Sequence, residues 1–123
     1  MAGDLELRRL DRPDARDHKQ VHALVAAVAA SGGAVGWLHV PDPGQVREWL
    51  DAALDRRAHV LVAERDGQVV GAGYWVRFAP VVLQVNAEIA KVMTLPAARG
   101  SGVARAVTSA LVEDAQREGV EGL

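Results

Sequence analysis

Asp66-Gly67 stands between two apolar runs, and that dipeptide constrains the fold of this chain more than any other feature. Residues 59–64 centre on Val60, Leu61 and Val62, and residues 68–79 carry Val69, Val70, Tyr74, Trp75 and Val76. Asp-Gly tolerates positive φ at both central positions of a two-residue turn, so the two runs should form an antiparallel hairpin. Pro80 ends the second run. Residues 85–95 read as a further strand, ended by Pro96. Three strands in succession make an antiparallel meander and argue against an alternating, doubly wound sheet. Gly71 and Gly73 inside the second strand predict a bulge or a close approach by another element. Tyr74 and Trp75 should point to opposite faces, one into the core and the other toward a site.

The flanking segments are helical. Residues 5–10 alternate as a short strand, stopped by Asp11-Arg12-Pro13-Asp14, whose last residue suits an N-cap. Val21, Leu24, Val25 and Val28 then draw one apolar face on a helix of about fifteen residues, which Ser31-Gly32-Gly33 ends. Asp42-Pro43-Gly44-Gln45 places an acceptor at the N-cap, proline at the first helical position and glutamine at the third. The helix behind it, with Val46, Trp49, Leu50, Ala53 and Leu54 inward, should reach Asp55 or Arg56. A last helix over residues 102–118 turns Val103, Val107, Ala110 and Leu111 inward, with Gly119 placed to terminate it. Residues 120–123 open another extended piece. The order is β-α-α-β-β-β-α-(β), a mixed α/β fold with a mainly antiparallel sheet flanked by helices, expected as a single domain over residues 1–123.

Composition narrows the classes of function. Of 123 residues, 50% are hydrophobic and 24% charged, which suits a buried core and excludes intrinsic disorder. A net charge of −2 argues against a dedicated nucleic-acid binder. There is no cysteine, hence no disulfide, thiolate zinc site or cysteine nucleophile. His18, His22, His39 and His59 are not at metal-ligand spacing, so no metal is expected; His39, in the loop before the second helix, is a remote candidate for a base. The longest apolar run, residues 21–30, is broken by His22 and too short to span a bilayer. The acidic N-terminus does not resemble a secretory signal, so no membrane partner and a cytoplasmic location are expected.

The chemistry concentrates at Val92-Met93-Thr94-Leu95-Pro96-Ala97-Ala98-Arg99-Gly100-Ser101-Gly102-Val103-Ala104. A strand ends, a short turn follows, and small residues open a helix. The first amides of that helix have no intrahelical acceptor, and the helix dipole adds positive potential there. Gly100 and Gly102 leave room for an anion, and Arg99 adds charge. This is a cradle for a phosphate or diphosphate; the competing reading is a plain tight strand-to-helix turn. A nucleotide P-loop is excluded, because no Gly-x-x-x-x-Gly-Lys-Ser/Thr string occurs. A dinucleotide fingerprint needs a third glycine where Arg105 stands.

The string Arg99-Gly100-Ser101-Gly102-Val103-Ala104 resembles the Arg/Gln-x-x-Gly-x-Gly/Ala motif of the GNAT superfamily of N-acetyltransferases. Val92 to Pro96 resembles the strand and proline that lead into it, and the element order matches as well. Ala87-Glu88-Ile89-Ala90-Lys91-Val92-Met93, with Ser31-Gly32-Gly33-Ala34-Val35-Gly36-Trp37-Leu38, is similar to the tabtoxin-resistance-like branch. The resemblance implies acetyl-coenzyme A as cosubstrate and a primary amine of a small molecule, amino acid or peptide as acceptor. It implies diphosphate binding by the amides of Gly100, Ser101, Gly102, Val103 and Ala104 beside Arg99. It implies pairing of the pantetheine arm with backbone groups of Val92, Met93 and Thr94, on a strand carrying a bulge. Thr94 stands where the family often has valine, a change that backbone pairing tolerates.

Acetyl transfer also needs a group to take the proton of an ammonium. The resemblance points to Glu88; its other readings are a solvated strand carboxylate or a partner for Lys91. Trp37 falls where family members build part of the acceptor pocket, and its other reading is a core cap. The family continues beyond the motif helix with a fifth strand, a helix and further strands, and often a tyrosine acid; Tyr74, on the third strand, does not take that role. The chain is therefore expected to be a fragment, a truncated form, or one half of a homodimer paired through an exposed sheet edge. The alternative function is an acyl-coenzyme A binding or interaction module without turnover.

Overall fold

The computed structural model describes residues 4–32, 39–77 and 87–120. Four strands, β1 (Glu6–Arg9), β2 (His59–Arg65), β3 (Gln68–Arg77) and β4 (Ala87–Thr94), form one sheet in the order β1-β2-β3-β4. Every neighbouring pair is antiparallel. Three helices, α1 (Ala15–Ala30), α2 (Pro43–Asp55) and α3 (Val103–Arg117), flank it.

The hairpin turn forms as the sequence requires: Asp66 has φ +53° and Gly67 φ +78°. The predicted β3 and β4 reach further toward each other, through residues 78–79 and 85–86, which lie outside the described residues, as do 121–123 of the predicted fifth strand. β1 is shorter than predicted, although Leu10 still donates its N–H to the Val60 carbonyl at 2.8 Å.

Both early helices carry reciprocal caps. Asp14 accepts from the Asp17 amide at 2.8 Å and Asp17 accepts from the Asp14 amide at 3.1 Å. Asp42 and Gln45 repeat the pattern at 2.8 and 2.9 Å. Each cap satisfies amides that the helix cannot.

The sheet has apolar layers on both faces. α1 and α2 cover one, with Val21, Leu24, Val25, Val28, Val46, Leu50 and Ala53 against Val60, Val62, Ala72 and Met93. α3 covers the other, with Val103, Val107, Leu111 and Ala115 against Leu61, Ala63, Val70 and Trp75. Tyr74 belongs to the first face and Trp75 to the second, the predicted alternation. Trp49, Leu54 and Ala110 are only partly buried at the edges of these layers.

Gly71 and Gly73 serve close approach. A Cβ on Gly71 would lie 2.4 Å from Val103 Cγ1, and one on Gly73 would lie 3.0 Å from Leu111 Cδ1. Their missing side chains let α3 lie directly on β3.

Periodicity did not indicate Asp114, a carboxylate on the inner face of α3. Its Oδ2 accepts from the Trp75 indole at 2.9 Å and from Arg9 at 2.7 Å. Burial pushes the Asp114 carboxyl up, but these two hydrogen bonds, the Arg9 charge and a hydrogen bond from Arg117 together hold it below its usual value. His59 stacks on Trp75 with ring centres 3.9 Å apart. No described helix is long and apolar enough to cross a membrane.

Candidate functional site

The junction after β4 folds as a strand, a tight turn and a helix. Leu95 donates its N–H to the Val70 carbonyl at 2.7 Å, which anchors the strand end. Pro96–Ala98 make one 3₁₀ turn, and Gly100 and Gly102 take φ of +81° and +87°. The first helical bond of α3 runs from the Ala106 amide to the Gly102 carbonyl at 3.0 Å. The amides of Val103, Ala104 and Arg105 precede it, so they have no acceptor within the helix. α1 and α2 spend side chains on this problem, whereas Gly102 at the N-cap of α3 supplies none.

These amides border an open cleft of about 440 Å³, lined by Thr94, Arg99, Gly100, Gly102, Val103, Ala104 and Arg105. A Cβ added at Gly100 or Gly102 would meet nothing within 4 Å, so the glycines face free space rather than packed protein. The donor set is amides, a helix dipole and arginines, and that chemistry fits a diphosphate.

Arginines converge on the cleft from different elements. Arg99 and Arg105 line it, and Arg99 reaches Ser31 Oγ at 3.1 Å, tying the turn to the end of α1. Arg65, at the end of β2, reaches Ser101 Oγ at 3.3 Å. Sequence reasoning missed Arg65, because only strand pairing brings it beside residue 101. Arg105, which counted against a dinucleotide fingerprint, joins the cradle instead.

β4 carries the bulge. Ala72 pairs with Met93 and Tyr74 with Ala90, so two residues, Lys91 and Val92, oppose Gly73. Lys91 holds φ +53°, an uncommon conformation for a residue with a side chain. Leu95 and Val70 are a bonded pair, so Thr94, opposite Gly71, turns its N–H and C=O away from β3, toward the outer edge of β4. Met93 is the next bonded partner: its backbone faces β3 and its side chain is buried in the core. Of the three expected backbone contacts, Thr94 has its groups at the edge, Val92 sits in the bulge and Met93 faces inward.

The bulge also sorts the side chains. Ile89 and Val92 pack on the α3 side, while Ala90 and Met93 pack on the α1/α2 side. Glu88 opposite Val76 shares the latter side. It lines a separate pocket of about 150 Å³ with Arg56, Ala58, Tyr74, Val76 and Ala90. Among these, Tyr74 is tilted against Trp49 with ring centres 6.4 Å apart. Glu88 is exposed and is in no ion pair among the described residues.

Trp37 lies outside the described residues. The histidines stand apart from both the cleft and the Glu88 pocket. His22 contacts the Pro41 carbonyl at 3.0 Å, His39 is exposed, and His59 accepts from Arg9 at the far end of α3.

A model of the Acetyltransferase (GNAT) family matches residues 34–123. A search of curated proteins finds no match. Among solved structures, the ribosomal-protein-alanine N-acetyltransferase from Brucella melitensis is similar at 27% identity and a TM-score of 0.73, over 94% of this chain and 69% of that one. An N-acetyltransferase from Staphylococcus aureus Mu50 superposes with a TM-score of 0.74 at 17% identity, over 96% and 70%. A GNAT family acetyltransferase from Brucella melitensis, solved in complex with acetyl-CoA, gives 0.68 at 21%, over 95% and 71%.

Proposed function

The chain belongs to the GNAT acetyltransferase family, and we propose that it moves the acetyl group of acetyl-coenzyme A onto a primary amine of a small molecule, amino acid or peptide. The observation that carries this reading is the α3 N-terminus: a helix without a side-chain cap, where α1 and α2 both carry reciprocal N-terminal caps, facing an arginine-lined cleft. The acetyl-CoA complex of the Brucella relative supports the cosubstrate. The name of the other Brucella protein supports an amine acceptor. Residues 1–123 are taken as a single domain.

In this reading the amides from Gly100 to Ala104, with Arg99, hold the diphosphate. The outward N–H and C=O of Thr94, with the backbone of Val92 in the bulge, align the pantetheine arm as an added strand would be aligned, while Met93, expected from the sequence to join them, is turned toward β3 and anchors the strand from within. The thioester supplies an activated carbonyl carbon. Glu88 takes one proton from the acceptor ammonium, directly or through a water, because an alkylammonium is protonated near neutrality and cannot attack. The freed amine then forms the C–N bond as the C–S bond breaks, and the proton that the nitrogen sheds goes to the leaving thiolate, giving an amide and coenzyme A thiol. Trp37 belongs to the acceptor side of this proposal.

The test uses two variants. Gly102→Val forces a side chain into a φ that disfavours it and into the cleft, so coenzyme A affinity measured by calorimetry should fall at least about tenfold. Glu88→Gln should keep that affinity and lose about 10²- to 10⁴-fold in acetyl transfer. Transfer is followed by thiol release, to which a chain without cysteine adds no background. Unchanged coenzyme A affinity in Gly102→Val sinks the cradle. Binding without thiol release, over a broad panel of amines, makes the chain a carrier-binding module.

A further inference from the structure

The pocket beside Glu88 holds two opposite charges that do not neutralise each other. Arg56 and Glu88 both line it, both are exposed, and no ion pair joins them or ties either to another described residue. Both are set on rigid backbone. Glu88 is fixed by its register against Val76. Arg56 caps the end of α2, where its amide reaches the Ala52 and Leu54 carbonyls, Arg57 turns at φ +62°, and Ala58 donates back to Ala53 at 3.0 Å. Ala58, Tyr74, Val76 and Ala90 complete the lining.

We propose that this pocket is an acceptor subsite for a free amino acid, with the ammonium at Glu88 and the carboxylate at Arg56. The inference rests on the acetyltransferase reading and narrows its acceptor. A simple amine would satisfy Glu88 and leave Arg56 facing a like charge. A molecule carrying both an ammonium and a carboxylate matches both ends, and a guanidinium can take a carboxylate through two parallel hydrogen bonds. Size points the same way. At about 150 Å³ the pocket lies below the roughly 300–1,000 Å³ of sites for drug-sized ligands. The apolar lining receives the side chain, and Arg56 becomes a specificity-determining residue.

The experiment is a nuclear magnetic resonance titration of the full chain with individual proteinogenic L-amino acids and their carboxamides. At least one amino acid should shift the amide signals of Ala58, Val76 and Ala90, with an affinity tenfold or more above that of its carboxamide. Arg56→Gln should bring the amino acid down to the level of the carboxamide, and Arg56→Lys should restore part of the preference. In acetyl transfer, the same loss should appear in KM for the amino acid more than in kcat. A carboxamide or a short peptide that binds as well as the free amino acid overturns the inference, as does a titration in which no amino acid moves these signals. Coenzyme A binding and transfer to a carboxamide are read separately. Thiol release without preference for a free carboxylate defeats this inference alone, and absent coenzyme A binding defeats the reading beneath it.

Discussion

Gly71 and Val103 meet where β3 passes under the first turn of α3: a Cβ on Gly71 would lie 2.4 Å from Val103 Cγ1 and 3.2 Å from the Met93 carbonyl. Val103 is 1% exposed and is also the first residue of the helix that opens on the cleft. The absence of a side chain at residue 71 therefore sets how deeply the cradle sits against the sheet.

Gly71→Ala should cost about 1–3 kcal/mol through overpacking, and it should weaken coenzyme A binding by displacing the start of α3. Urea denaturation and calorimetry on one preparation check both effects. Wild-type stability with wild-type affinity would show that the contact positions nothing.

Asp114 joins β1, β3 and α3 through Arg9 and Trp75. Its removal in Asp114→Ala leaves a guanidinium and an indole N–H without their acceptor, at a cost of about 1–3 kcal/mol. A double-mutant cycle with Trp75→Phe should show coupling, since the two side chains share one hydrogen bond. Strictly additive losses would contradict that.

Stability should fall on mild acidification. Burial lowers the pKa of His59 from its ordinary 6.5, and the Arg9 charge lowers it further, against smaller opposing effects of Asp114 and Glu118. Arg9 can only donate, so His59 Nδ1 accepts and the ring is neutral. Between the folded value and 6.5 the unfolded chain binds more protons, so unfolding becomes easier as pH drops through that window. Asp17 and Asp114, both held below their ordinary 3.8, add a second loss under more acidic conditions. Urea midpoints at pH 7.5, 6.5 and 5.5 should decline in the wild type and decline less in His59→Asn. Equal slopes would remove His59 as the cause.

β4 ends the sheet among the described residues, and a homodimer through such an edge is one of the three alternatives that the sequence leaves, beside a fragment and a truncated form. If a second copy and the pantetheine arm use the same outward groups of Thr94, they compete. Sedimentation should then show concentration-dependent association that coenzyme A reverses. A single monomeric species at every concentration removes the dimer.

The hairpin at Asp66-Gly67, both helix caps and the strand-to-helix junction at residues 94–103 were legible in the chain. Each is set within a few residues: by φ preferences in a turn, by a carboxylate three positions from the amide it accepts, or by two glycines ahead of an apolar helix face. The bulge was expected in β4, but its centre was not, because Lys91 at φ +53° carries no local signature for that conformation. Asp114 escaped notice because a carboxylate on an inward helix position reads as a break in the pattern until its partners are known.

The chain alone determined the elements, their order and the opening of α3, since these follow from short-range sterics, capping and periodicity. The tertiary structure decided which side chains share a site. Arg65 meets Ser101 across 36 positions and Arg9 meets Asp114 across 105. The pairing of Arg56 with Glu88 around one pocket depends on the β3–β4 register and on the extra residue in β4. A shift of one residue in a strand exchanges the face of every side chain along it, and register is set by the packing of both sheet faces together.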